Sequence, residues 1–210
     1  MMDTGALMPA FATEVYKVEL AGTVAETLIT RLDQACRRFA LDDLEGQNFS
    51  KRVGYLGYTS LKSIPDLAER DEAFAELREV VEHQASLFAN CTQFQLGDRK
   101  LRVNRLWISL IGPNGARSSQ IHVGSVLSGT LYTTVPENSG ALKFEDPRLG
   151  MMMHAPPRLP SARLYRQTYL PVIPQRGTLL LWESWLRQEV TANLSTHPSV
   201  SIGFNIDAED

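Results

Sequence analysis

Two short segments concentrate the side chains that could do chemistry. In Gln120-Ile121-His122 an amide and an imidazole stand two residues apart. On an extended strand that spacing turns both to the same face. The imidazole could carry a proton near neutral pH or ligate a metal. In Trp182-Glu183-Ser184-Trp185-Leu186-Arg187-Gln188-Glu189-Val190 a second amide, Gln188, precedes the carboxylate of Glu189. Further polar candidates are Tyr132 and Arg148 within Asp146-Pro147-Arg148. There is no G-x-S-x-G elbow, no Walker loop and no H-E-x-x-H helix, and Gly112-Pro113-Asn114-Gly115 reads as a turn.

These residues need strands to hold them, and the second half of the chain supplies the pattern. Strand-like runs cover 101–111, 126–135, 141–145, 169–173, 178–182 and 200–206, rich in β-branched and aromatic residues. Pro136–Gly140 is a turn cluster, and residues 146–165, with Met151–Met153 and several prolines, form a long irregular excursion. The first half reads differently. A strand is expected within 11–20. Thr23-Val24-Ala25-Glu26 has the form of a capping box opening a helix along Val24, Leu28, Leu32, Ala35, Cys36 and Phe39. Residues 45–63 read as an ordered loop. A second helix is expected over 67–89, with Phe74, Leu77, Val81 and Phe88 as its apolar stripe. Helices followed by six or more short strands predict a mainly β fold with N-terminal helices. The expected organisation is a single domain over 1–210, with 1–97 as helical support and 98–210 as the β core.

Composition bounds the function. The chain has 210 residues, 43% hydrophobic, 21% charged, with net charge −3, ordinary for a globular protein. No basic stripe points to nucleic acid. No stretch approaches the roughly 20 apolar residues that cross a bilayer, and the N-terminus lacks a secretory pattern, so a cytoplasmic location is expected. Cys36 and Cys91 form no framework, and Cys36 reads as a small core residue.

Four segments, in order, carry a resemblance. They are Ile121-His-Val-Gly-Ser-Val-Leu-Ser-Gly-Thr-Leu-Tyr132, Gly140-Ala-Leu-Lys-Phe-Glu-Asp-Pro-Arg148, Gly177-Thr-Leu-Leu-Leu-Trp-Glu-Ser-Trp-Leu-Arg187 and Val200-Ser-Ile-Gly-Phe-Asn-Ile206. Together they resemble the small bacterial and phage 2-oxoglutarate/Fe(II) oxygenases, closely over about 100–206 and again at Gly54-Tyr-Leu-Gly-Tyr-Thr-Ser60. The resemblance implies a double-stranded β-helix, a cupin-like jelly roll. It also implies Fe(II) and 2-oxoglutarate as cofactors, and a small-molecule substrate. His122, Tyr132, Asp146, Arg148, Ser201 and Asn205 match the family pattern. The family has a histidine where this chain has Gln120, a histidine where it has Gln188, and an arginine for the co-substrate where it has Ser199. The implied metal positions are therefore His122, Gln120 and Gln188. The implied catalytic residues are His122, Arg148 and Tyr132, with Ser199, Ser201 and Asn205 toward the co-substrate.

Each position has a second reading. A neutral amide is a weak ligand for Fe(II) beside an imidazole, and glutamines can instead keep a polar cavity hydrogen-bonded. His122 is either a metal ligand or a buried, hydrogen-bonded histidine. His197 could replace a missing group, or mark a turn in Thr196-His197-Pro198. His154 belongs to a lid or to a surface loop, and His83 packs half-exposed on its helix. Arg148 anchors a ligand or pairs with Asp146. Tyr132 points its hydroxyl inward or fills the core, and Met151–Met153 line an apolar mouth or fill gaps. Three functions stay open: an oxygenase with unusual ligation, a metal-independent enzyme using His122 with Glu189 or Arg148, and a non-catalytic binder of a ligand or partner. Exposed sheet edges make a homodimer an expectation as well.

Overall fold

A computed structural model of the chain describes residues 6, 8 and 10–210; residues 1–5, 7 and 9 of the expected support region lie outside those described. The described residues form strand β1 (Val15–Glu19), helices α1 (Thr23–Asp42) and α2 (Leu44–Arg52), strand β2 (Gly57–Thr59) and helix α3 (Glu72–Cys91). Strands β3 (Lys100–Ile111), β4 (Arg117–Gln120), β5 (Leu127–Thr134), β6 (Leu142–Glu145), β7 (Tyr169–Val172), β8 (Thr178–Glu183), β9 (Gln188–Val190) and β10 (Ser199–Glu209) follow.

The strands make two antiparallel sheets, a large one ordered β1-β8-β5-β10-β3-β2 and a small one ordered β4-β9-β6-β7. Chain crossings between the sheets at β3–β4, β4–β5, β5–β6, β7–β8, β8–β9 and β9–β10 wind the double-stranded β-helix.

Period-2 alternation explains how the large sheet can be buried on both faces. On β10, Val200, Ile202, Phe204 and Ile206 join a core with the helices. Ser199, Ser201 and Gly203 face the space between the sheets. Leu179 and Leu181 of β8 face the helices, whereas Leu180 and Trp182 join Tyr132, Leu142, Phe144 and Leu186 in a second core between the sheets. Leu28, Leu32 and Cys36 of α1 and Phe74, Leu77, Val81 and Phe88 of α3 complete the first core. Cys36 is fully buried, as its helical spacing suggested.

Polar groups lock the helices to the sheet. Asp33 of α1 accepts from Thr133 Oγ1 at 2.9 Å and Thr134 Oγ1 at 2.6 Å, and pairs with Arg37 at 2.7 Å. Arg176 reaches back to Glu26 and to Thr30.

Three expectations need correction. The capping box does not form: Gly22 is the N-cap, with no side-chain bond, and Thr23 is already helical. Thr27 Oγ1 donates back to the Thr23 carbonyl at 2.8 Å, and the free N–H groups of the first turn stay without a side-chain cap. Residues 45–63 are not a loop, because they contain α2 and β2. Asp43 nucleates this unit by accepting from Gly46 N–H at 3.0 Å, from Tyr58 Oη at 2.7 Å and from Ser63. Gly46 is needed there, since any Cβ would collide with the Asp43 carboxylate and the Tyr58 ring. The second helix starts at Glu72, after the Asp71 carboxylate caps Ala73 N–H at 2.9 Å.

Candidate functional site

Gln120, His122 and Gln188 converge at one end of the barrel. Gln120 ends β4 and lies opposite Gln188 of β9 in the strand register. Past Gln120 the chain is held by His122 N–H donating to the Ser184 carbonyl at 3.0 Å. The His122 ring stacks on Trp107, with centroids 5.5 Å apart and planes 19° apart. Trp107 in turn lies over Gly203, where any Cβ would overlap the indole.

The ring nitrogen His122 Nε2 is taken up by amides. Gln188 is buried, and its partners fix the amide orientation. Its nitrogen donates to the Gln120 carbonyl at 2.6 Å and the Leu186 carbonyl at 3.1 Å, and its oxygen accepts from His122 Nε2 at 2.9 Å. The Gln120 side-chain nitrogen lies 3.4 Å from the same Nε2. Burial pushes the imidazole below its ordinary pKa, the charge of Arg117 lowers it further, and a side-chain hydrogen bond with Asn205 opposes both. Asn205 is itself positioned by Ser128 Oγ at 3.1 Å, which bonds Ser184 Oγ at 2.7 Å.

Between the sheets, beside His122, lies a cavity of about 50 Å³. Ser109, Ser199, Ser201 and Tyr132 line it, with Trp107 and Trp182 as its aromatic walls. Tyr132 satisfies both readings: it is part of the core between the sheets and part of the cavity lining. Burial drives its hydroxyl pKa well up, against the lowering charge of Arg117.

Other candidates fall elsewhere. Arg148 is half-exposed, does not line the cavity, and forks onto Asp146 at 2.9 and 2.7 Å. Of its two expected readings, Arg148 thus shows the pairing with Asp146, away from the cavity lining. His197 bonds Thr196 Oγ1 at 3.1 Å in an exposed turn. His154 is exposed, and His83 is exposed on α3 rather than half-buried. Met151 and Met153 are 79% and 84% exposed, and no residue of 146–168 lines the cavity. Glu189 does line it, with its carboxylate paired to Lys143 at 2.5 Å.

Sequence reasoning missed Arg117. It sits on β4, lines the cavity, donates to Ser109 Oγ at 3.3 Å and lies over the Tyr55 ring at 5.6 Å. Tyr55 Oη is hydrogen-bonded to the same Ser109 hydroxyl at 3.0 Å. Trp107 and Trp182 were also missed as site residues. Their alternation with Leu106, Ile108 and Leu181 was the available signal.

Residues 105–205 match the family model described as "Putative 2OG-Fe(II) oxygenase". The fold agrees. A Pseudomonas putida prolyl-4-hydroxylase superposes with TM-score 0.56 at 14% identity, over 94% of this chain and 88% of that one. The α-ketoglutarate-dependent epimerase SnoN of nogalamycin biosynthesis gives 0.61 at 13% identity, over 93% and 77%. HygX from Streptomyces hygroscopicus, solved with nickel and 2-oxoglutarate, gives 0.57 at 12% identity, over 93% and 83%. No curated relative matches the chain. Over 105–205 the chain is thus similar in sequence to that oxygenase family, and its fold is the one these solved structures share.

The residues present do not fit the iron that this family implies. Among the described residues no three His, Cys, Asp or Glu side chains converge in a way that could hold a metal ion. The amide oxygens of Gln120 and Gln188 are weak neutral donors to Fe(II) beside an imidazole, and Nε2 carries the proton that it gives to the Gln188 oxygen. The co-substrate arginine position is Ser199, a buried hydroxyl.

Proposed function

We propose that this chain is a metal-independent member of the oxygenase fold, which binds a small molecule between its sheets without iron chemistry. The observation that carries this reading is the Gln188–His122–Gln120 cluster. The one imidazole of the cluster gives its Nε2 to an amide oxygen at 2.9 Å. A protonated Nε2 donor and a metal–nitrogen bond are mutually exclusive.

The test is anaerobic titration of the full chain with Fe(II), followed by an assay for succinate released from 2-oxoglutarate. The expected result is no stoichiometric iron and no succinate. Tight iron binding that His122→Ala abolishes would overturn the reading in favour of oxidation of a substrate through an unusual Gln120/His122/Gln188 centre. No described helix is long and apolar enough to cross a membrane. We further propose a soluble, cytoplasmic setting, with the ligand a small molecule rather than nucleic acid.

A further inference from the structure

The long excursion between β6 and β7 lines no part of the cavity. Its base is closed by Asp146 N–H, which donates to the Thr168 carbonyl at 2.8 Å. Pro147, Pro156, Pro157 and Pro160 keep it from winding into a long helix. Single 3₁₀ turns at Leu149–Met151 and Leu164–Arg166 give it local shape. No residue of 147–168 joins either core.

Two properties meet on this loop. The first is charge. From Pro147 to Trp182 there are five arginines and no Asp or Glu, in a chain whose net charge is −3. Arg148 and Arg176 are paired with Asp146 and Glu26. Arg158, Arg163 and Arg166 are exposed, and among the described residues they form no ion pair. Arg163 Nη1 donates to Tyr165 Oη at 3.0 Å, and Arg166 lies over the Tyr165 ring at 5.4 Å, so two free cations gather around one phenol. The second property is apolar surface. Met151, Met153, Leu159 and Leu164 are between 64% and 84% exposed. An isolated exposed apolar side chain is ordinary; four on one loop, among unpaired cations, mark a contact surface.

The chemistry of the partner follows from both properties together. A bound peptide wants a groove, and neither the cavity between the sheets nor the cleft along α3 takes lining from this loop. Nucleic acid would pair with the arginines and leave the aliphatic side chains in water. A bilayer face with anionic headgroups satisfies both: phosphates pair with guanidinium groups, and methionine and leucine side chains settle below them. Tyr165, apolar ring and polar tip, suits the boundary. The net negative charge of the chain turns the rest of the molecule away from such a surface, so approach is loop first.

We propose that residues 147–168 are a peripheral docking loop for an anionic phospholipid surface, with Arg158, Arg163 and Arg166 on the headgroups and Met151, Met153, Leu159 and Leu164 among them. The contact is with the face of the bilayer, since no described helix is long and apolar enough to cross one. It is independent of what the barrel binds.

Full-length protein is co-sedimented with phosphatidylcholine vesicles and with vesicles in which about one-third of the lipid is phosphatidylglycerol. It should bind the anionic vesicles only, and the bound fraction should fall as salt rises. Arg158→Gln combined with Arg163→Gln and Arg166→Gln should weaken binding roughly tenfold or more. Leu159→Ser combined with Leu164→Ser should weaken it several-fold. Both variants should keep the parent thermal melt, because all five side chains are exposed. Equal binding to both vesicle types, binding to neither, or affinity indifferent to either variant overturns the proposal. So does a single-stranded oligonucleotide that displaces the protein from anionic vesicles, which would make the loop a nucleic-acid contact. Self-association in place of vesicle binding, lost in the arginine variant, also overturns it and makes a second copy the partner.

Discussion

The Gln188 side-chain oxygen lies 2.9 Å from His122 Nε2, while its nitrogen bridges back to the Gln120 and Leu186 carbonyls. One buried amide thus ties β9 to β4 and fixes the imidazole proton on Nε2. Removing it strands two carbonyls and a ring N–H together.

Gln188→Ala should therefore destabilise the fold by about 1–3 kcal/mol, the usual cost of leaving buried polar groups unpaired. Urea unfolding measures this. Gln188→Glu provides a contrast, since its carboxylate would accept from His122 yet could not donate to the carbonyls.

His122 gives a pH signature. Its folded pKa lies below the ordinary imidazole value of 6.5, so the unfolded chain binds the proton more readily. Stability should be full above pH 6.5 and should fall as pH drops from 6.5 through the folded pKa. In His122→Gln that part of the decline should disappear. Paired unfolding curves across pH, with an NMR titration of the ring, check both the direction and the assignment.

Restoring imidazoles should restore a metal site. Gln120 and Gln188 face each other across the β4–β9 register, with His122 between them. Gln120→His with Gln188→His should bind Co(II) or Fe(II), while the parent chain does not. The affinity should respond by roughly 10–100-fold when either new ligand is removed. Isothermal titration is the check, and no binding to the double variant would show that the three positions do not share a coordination sphere.

Asp33 should matter although it lies far from the cavity. Burial raises its pKa, but hydrogen bonds from Arg37, Thr134 and Thr133 outweigh this and hold it below the usual carboxylate value. Asp33→Ala should cost about 2–3 kcal/mol, because two threonine hydroxyls lose a charged acceptor. The stabilisation by Asp33 should be present above the unfolded carboxyl pKa and lost as pH falls through the folded one. Denaturant curves at neutral and acid pH separate the two states.

Much of this architecture could be read from residue patterns. The longer strands between Leu101 and Ile206 are runs of apolar, β-branched and aromatic residues, buried almost throughout in β5 and β8, and the two long helices carry apolar stripes. The exceptions were the short strands β2, β4 and β9, too brief and polar to stand out, and α2, whose Gly46 and Ser50 lack hydrophobic periodicity and which Asp43 anchors through Tyr58 and Ser63. Within the site, Gln120, His122 and Gln188 were legible because the motif order constrained them. Arg117 was not. On a regular strand, residues 117 and 120 would face opposite ways. Between Arg117↔Val190 and Gln120↔Gln188, however, three steps on β4 oppose two on β9. This irregularity brings both side chains toward one interior, and a bulge of this kind leaves no mark in a simple period-2 count. For Arg148 the sequence left two readings open, a ligand anchor and a partner for Asp146 two residues away, and the structure has the pair with Asp146.

Strand β10 carries two independent texts. One set of alternate positions, Val200 to Ile206, is read by the helices; the other, from Ser199 to Asn205, is read by whatever enters the barrel. A lineage can rewrite the second while leaving the first intact. The fold can thus persist while the barrel's contents change, so superposition with solved oxygenases speaks of the scaffold and is silent about turnover.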